Sequence, residues 1–272
     1  MEQAYKSSNA FSCLGSRANG WDHAIAESIK LKPGFKKGAG MSDAIRVLSA
    51  GAAESLIGLI STRFTAETGF RIEASFAGVG VVMKRLEKSE HADVVVLTQP
   101  AIAELKGRGL IAGACVATIG AVATSLAVKT GYPPTVAQNR DDLQAALKSA
   151  DAIHVPDFET TTAGQHIRRM LETLGMVEEL HTRLRFAPNG ASAMRALAEA
   201  QEEHAIGCAQ ASEILAAPGT TFVADLPSPF SLSTHYAMAV TAGSQSVQAA
   251  YRFIEMVTAP SAASVRKACG FE

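Results

Sequence analysis

Four short stretches of this 272-residue chain gather small or hydroxyl residues where a helix should begin: Ser49-Ala-Gly-Ala-Ala53, Ala77-Gly-Val-Gly80, Thr160-Thr-Thr-Ala-Gly164 and Asn189-Gly-Ala-Ser192. A helix start leaves N–H groups without intrahelical acceptors and carries a partial positive charge. Glycine and alanine let an anion come close to that backbone, and serine and threonine add hydroxyl donors. Several such starts converging on one cleft can hold a desolvated anion without lysine or arginine, at roughly 1.5–3 kcal/mol per charge-assisted hydrogen bond. Taken singly, each stretch is equally an ordinary N-cap or tight turn. Together they read as a small-anion site.

The candidate ligand-binding residues are therefore Ser49, Gly51, Ala52, Ala77, Gly78, Val79, Gly80, Thr160, Thr161, Thr162, Ala163, Gly164, Asn189, Ala191 and Ser192. Thr98 and Gln99 join them at the end of an apolar strand, the side on which open α/β sheets bind ligands, and Gln210 joins them at a later strand end. If the chain is an enzyme, Glu54 or His235 is the candidate base. Glu54 can also simply complement a helix dipole, and His235 can be a satisfied structural histidine. Asp93 is expected to cap or pair within the fold.

The elements that must position these residues alternate. Residues 45–49, 70–76 and 92–98 are β-branched or apolar runs, the last nearly continuous as in a buried parallel strand. Helical spacing of apolar residues covers 55–67, 81–88 and 100–106. The run 116–128 is too long for one small sheet and suits a crossing between two lobes; it leads into a turn at Gly131, Tyr132, Pro133 and Pro134. The second half repeats the alternation, with helices expected over 140–150, 163–174 and 192–203 and strands over 152–155, 205–208 and 221–224. After Pro227 and Pro229, residues 236–241 suit a return crossing, and helices over 247–257 and 261–268 close the chain. Such alternation implies helices covering mostly parallel sheets. The expected fold class is α/β: two Rossmann-like lobes joined by two crossing strands, with the ligand between them. The expected organisation is an N-terminal extension over 1–40, one lobe from 41–122 plus 232–272, and a second over 123–231.

Composition narrows the function. Apolar residues make up 47% of the chain, enough for a full core, and 25 basic residues nearly balance 26 acidic ones without a run of either sign. A nucleic-acid partner is not expected, because phosphate neutralisation needs a basic face. Cys13, Cys115, Cys208 and Cys269 are far apart and form no zinc-type cluster, so no protein-ligated metal and no cofactor are expected. Cys115 and Cys208 read as small core residues. No stretch approaches the roughly 18 unbroken apolar residues of a membrane span. The first 40 residues lack the apolar segment of a secretory signal, as does a chain started at Met41, so the expected location is cytoplasmic. A monomer is expected.

Several segments, in order, resemble the molybdate-binding proteins of ABC importers, a type II periplasmic-binding-protein family. Residues 45–64 (IRVLSAGAAESLIGLISTRF) resemble that family's first strand-loop-helix, residues 73–86 (EASFAGVGVVMKRL) the second unit, and 92–98 (ADVVVLT) the third strand. Thr162-Ala-Gly164 resembles its ligand loop, 205–214 (AIGCAQASEI) a late strand and turn, and 251–271 its closing helices. The likeness covers about residues 45–271. It implies a substrate-binding protein that closes around a small anion and, if exported, serves an ABC importer permease. It also implies departures: Ala52 stands where the family has a ligand serine, Gly78, Val79 and Gly80 where it has second-loop serines, and Gln210 where it has a closing tyrosine. The pocket is thereby roomier and less hydroxylated, which admits an organic carboxylate beside a molybdate-like oxyanion. Relatives of aconitate-isomerase type imply the alternative, an isomerase acting on a tricarboxylate.

Overall fold

The computed structural model describes residues 44–132 and 135–272, with the side chains of Ala114 and Cys115 outside the description. The expected extension over 1–40, the alternative start at Met41, Cys13, and Pro133 and Pro134 lie outside the described residues.

The first half builds on β1 (Ala44–Ala50), a 3-10 turn (Gly51–Ala53), α1 (Glu54–Thr68), β2 (Arg71–Ala77), α2 (Val79–Glu87), β3 (Val94–Thr98) and α3 (Gln99–Gly107). β4 (Ile111–Lys129) runs for 19 residues. There follow α4 (Arg140–Ser149), β5 (Ala152–Pro156), α5 (Thr162–Leu174), the short α6 (Val177–Leu180), β6 (Leu184–Ala187), α7 (Gly190–Ala198), β7 (Ala205–Gln210), α8 (Ala211–Ala216) and β8 (Thr220–Asp225). β9 (Ser233–Thr241), α9 (Val247–Thr258), a 3-10 turn (Pro260–Ala262) and α10 (Ala263–Ala268) complete it.

The strands lie in the order β2-β1-β3-β9-β4-β7-β5-β6, with β8 also on β4. β4 joins two half-sheets by changing partners along its length. Residues up to Ala123 pair with β9, whereas Thr124 to Lys129 pair with β7 and β8. The parallel pairs β1–β2, β1–β3, β5–β6 and β5–β7 are the ones that α/β alternation dictates. β4, β8 and β9 run antiparallel to their partners, so each half is mixed.

Each half has its own apolar interior. The first is centred on β1, β3 and β9 with Phe64, Phe70 and Phe253, the rings of Phe64 and Phe253 meeting edge to face at 5.2 Å. The second half buries one set, including Leu143, Ile153, Ile167 and Leu171, and another, including Met194, Leu197 and Ala209, as a sheet covered on both faces requires. Asp93 ties the first half together from inside: its Oδ1 accepts from Ser244 Oγ at 2.8 Å and from the N–H of Gln245 at 3.1 Å, and its Oδ2 accepts from the N–H of Arg46 at 2.9 Å. Cys208 is buried, as its apolar strand implies, and burial pushes its thiol pKa up.

Three expectations shift. β4 begins at Ile111, earlier than the run 116–128, with register irregularities between Ile111 and Val116. α7 ends at Ala198 and not at residue 203, because the polar stretch after Glu199 leaves the helix. β6 was absent from the pattern since it is an edge strand whose Arg185 and Phe186 face solvent.

Candidate functional site

The loops after β1, β2, β5 and β6 bring their helix starts to one cavity between the halves. It is lined by Ala50, Gly51, Ala52, Ala77, Gly78, Val79, Pro156, Thr161, Thr162, Ala163, Asn189, Gly190, Gln210, Glu213 and Tyr236, and holds about 300 Å³ of space, its mouth included. These strands all point their C-terminal ends at it, as ligand sites on parallel sheets require. No lysine, arginine or histidine stands among the lining residues described.

Each start is built by local capping. On α5, Thr161 Oγ1 accepts from the Gly164 N–H at 3.0 Å and donates to the Asp157 carbonyl at 2.7 Å. Asp157 Oδ1 accepts from Thr160 Oγ1 at 2.6 Å and from the N–H groups of Thr160 and Glu159 at 2.7 and 3.1 Å. The Thr160 hydroxyl, followed by those N–H groups, holds the Asp157 carboxyl pKa below its usual range. That knot leaves the N–H groups of Thr162 and Ala163, which precede the first intrahelical bond, at the cavity wall. On α7, Asn189 Oδ1 accepts from the Ser192 N–H at 2.8 Å. On α2, Gly78 is the N-cap without a side chain, and Val79 supplies the first N–H.

The two halves touch across the cleft at the same loops. The Gly80 N–H donates to the Thr160 carbonyl at 3.1 Å. A Cβ on Gly78 would stand 2.6 Å from that carbonyl oxygen, so only glycine permits this approach. The described arrangement is thus a closed one.

Glu213 is the residue that sequence reasoning missed. It sits in the first turn of α8, is buried, and its carboxylate accepts from the N–H groups of Gln210, at 3.2 Å, Ala191 and Gly190. It therefore occupies the start of α7 as an internal anion. Burial pushes its carboxyl up to about 7, the Glu54 charge adding to the rise while the N–H groups pull the other way. The signal was present as Gln210 followed three residues later by Glu213, a capping-box spacing, but it does not announce a cavity wall. Pro156 and Tyr236 were also not singled out, and Ala50 and Gly190 stood inside two of the four stretches without being named as ligand residues; Tyr236 is buried edge-on to Phe271 at 6.0 Å, and burial, then the Glu213 charge, pushes its phenol pKa up.

Of the expected ligand residues, Gly51, Ala52, Ala77, Gly78, Val79, Thr161, Thr162, Ala163, Asn189 and Gln210 line the cavity. Gly80, Thr160, Gly164, Ala191 and Ser192 lie behind the wall and hold it in shape. Ser49 is buried with its hydroxyl on the Ala50 carbonyl, and Gln99 donates to Thr118 Oγ1 at 3.1 Å; neither they nor Thr98 reach the cavity wall. Gln210 is largely spent on the crossing: with both ends of its amide satisfied, its nitrogen donates to the carbonyls of Val122 and Ala123 at 3.1 Å. Glu54 and His235 are exposed and outside the lining. Among the described residues no group of three or more His, Cys, Asp or Glu side chains could hold a metal ion, and no helix is long and apolar enough to cross a membrane.

Known proteins share this architecture. The periplasmic molybdate-binding protein of Azotobacter vinelandii superposes with a TM-score of 0.70 at 16% identity, covering 84% of this chain and 98% of that one. The sulfate-binding protein of Mycobacterium tuberculosis gives 0.66 at 16% identity, over 85% and 86% of the two chains. At these identities they establish the type II periplasmic-binding-protein fold. In sequence, an aconitate isomerase from Pseudomonas sp is 25% identical over 235 residues, 84% of this chain and 87% of the relative. The match that covers residues 45–272 is to the bacterial extracellular solute-binding proteins, and the chain belongs to that family.

Proposed function

We propose that the cleft binds a small organic carboxylate, enclosed by the two lobes over 41–122 with 232–272 and over 123–231. The observation that supports this most is the wall itself. The helix starts at the 3-10 turn, α2 and α5 supply backbone donors, while Ala50, Ala52, Ala77, Val79 and Pro156 give an apolar surface that a bare tetrahedral oxyanion would not use. Neutral donors at helix starts stabilise an anion without the cost of burying a cationic side chain. Closure comes from Gly78 and Gly80 meeting Thr160. An ABC importer permease is the partner this implies for an exported chain. A thermal-shift panel of cis- and trans-aconitate, citrate, molybdate and sulfate tests it. Saturation at a hundred times Kd stabilises by about 2.7 kcal/mol. Carboxylates should raise the midpoint; a shift with molybdate alone would replace the carboxylate reading by an oxyanion one.

A second reading, an isomerase that moves a proton along an allylic tricarboxylate, draws on Glu213 and on the aconitate isomerase likeness. A base should titrate near the working pH and touch the ligand space; Glu213 does both, whereas the exposed Glu54 and His235 do not reach the lining. Following cis-aconitate by proton NMR with catalytic amounts of protein decides between binding and turnover.

A further inference from the structure

The start of α7 already carries a negative group. Gly190 has no side chain because the Glu213 carboxylate fills that place, and a Cβ on Gly51, from the opposite lobe, would stand 2.8 Å from Glu213 Oε1. The carboxylate is thus wedged between both lobes at the wall of the ligand cavity, the one acid among its described lining residues. An anion brought onto the neighbouring helix starts meets this carboxylate where it is buried. Two close, desolvated negative charges are costly, and the cheapest relief is a proton on one of them.

We propose that Glu213 takes up one proton from solvent when the cavity binds its anion, and in the neutral form donates a hydrogen bond to it. This deepens the anion-binding reading and rests on it. The groups that act on Glu213 are few. Glu54, from the first turn of α1, favours its neutral form, and the Tyr236 phenol on β9 is itself kept protonated by burial and by the Glu213 charge. On the elements packed against α8, Asp225 of β8 accepts from Ser125 Oγ at 2.6 Å, Lys129 of β4 donates to the Ala200 carbonyl at 2.7 Å, and Arg195 of α7 donates to Ser192 Oγ at 2.9 Å. Each of these three is committed elsewhere. Without a ligand the carboxyl titrates at about 7, so near neutrality a modest push suffices to protonate it.

The sign follows. A bound anion raises the Glu213 pKa further, so proton uptake accompanies binding above neutrality, and affinity falls up to about tenfold per pH unit there. Calorimetric titration of the full chain with cis-aconitate at pH 8, in two buffers of different ionisation enthalpy, measures this directly. About one proton taken up per anion is expected, with Glu213→Gln binding without uptake and with a flat pH profile. Uptake that persists in Glu213→Gln, or its absence in the wild type, would overturn the assignment while leaving anion binding intact. If no anion binds even at pH 5.5, where Glu213 is already neutral, the anion reading itself fails and this one with it. The wild-type Glu213 carboxyl resonance gives a measurement independent of any variant: its titration midpoint must rise on saturation, and an unchanged midpoint contradicts the proposal.

Discussion

The carboxylate of Glu213 stands where a side chain on Gly190 would have to go, so the start of α7 is filled by an acid from α8 and not by its own residue. That relationship converts one of four apparent anion cradles into a buried acidic wall. The cavity is therefore asymmetric: donors from the 3-10 turn, α2 and α5 face a group that can itself give or take a proton.

Replacing Gly190 tests the wedge. Gly190→Ala forces Glu213 out of its N–H bonds, an overpacking of the kind that costs about 1–3 kcal/mol. The double change Gly190→Ala with Glu213→Ala should cost less than the sum of the singles, and chemical denaturation of all four proteins measures that coupling.

Glu213 also sets a pH dependence of stability. Its carboxyl titrates at about 7 folded, above the 4.5 of the free side chain. The native state thus holds the proton more tightly, so the group's contribution is full below 4.5 and is lost as pH rises through 7. Across that window the wild type should lose about 3 kcal/mol relative to Glu213→Gln. Parallel denaturation curves for the two proteins from pH 4.5 to 8 would contradict the burial argument.

How much of this could be read from residues alone divides along physical lines. The helix-start loops were legible, because small and hydroxyl residues before a 3.6-residue periodicity encode a cap locally. Nine of the candidate positions so marked line the cavity, and Gln210, marked at a strand end, is the tenth. Glu213 was not legible, since its chemistry comes from burial against Gly51 and Gly190, contacts made far along the chain. Glu54 looked like a candidate base because it adjoins the first loop, yet α1 turns it to solvent. β6 escaped notice because an exposed edge strand lacks the apolar alternation that marks its neighbours.

Closure depends on Gly78. A Cβ there would meet the Thr160 carbonyl at 2.6 Å and Thr161 Cγ2 at 3.0 Å. Gly78→Val should fold normally, since the lobes keep their separate cores, but should fail to close. Ligand affinity is expected to drop at least about tenfold, equivalent to about 1.4 kcal/mol, and small-angle scattering should show no contraction on ligand addition.

Asp157 acts one layer behind the cavity. Asp157→Ala removes the acceptor that orders Thr160, the residue just before the Thr161 cap of α5, while the cap's own bonds remain. Hydrogen bonds to a charged group contribute about 1.5–3 kcal/mol, so affinity should fall about tenfold or more while secondary structure stays intact by circular dichroism. His235→Ala, by contrast, should leave affinity within about twofold, because His235 is exposed and outside the cavity lining.

The most direct test of where the anion sits is an amide NMR titration of the isotope-labelled chain with cis-aconitate. The expected result is saturable shifts concentrated on the N–H groups of Gly51, Ala52, Val79, Thr162 and Ala163, with smaller changes at Gly190 and Ala191. Saturable shifts confined to surface lysines and arginines, with those five amides unmoved, would contradict anion binding in the cleft.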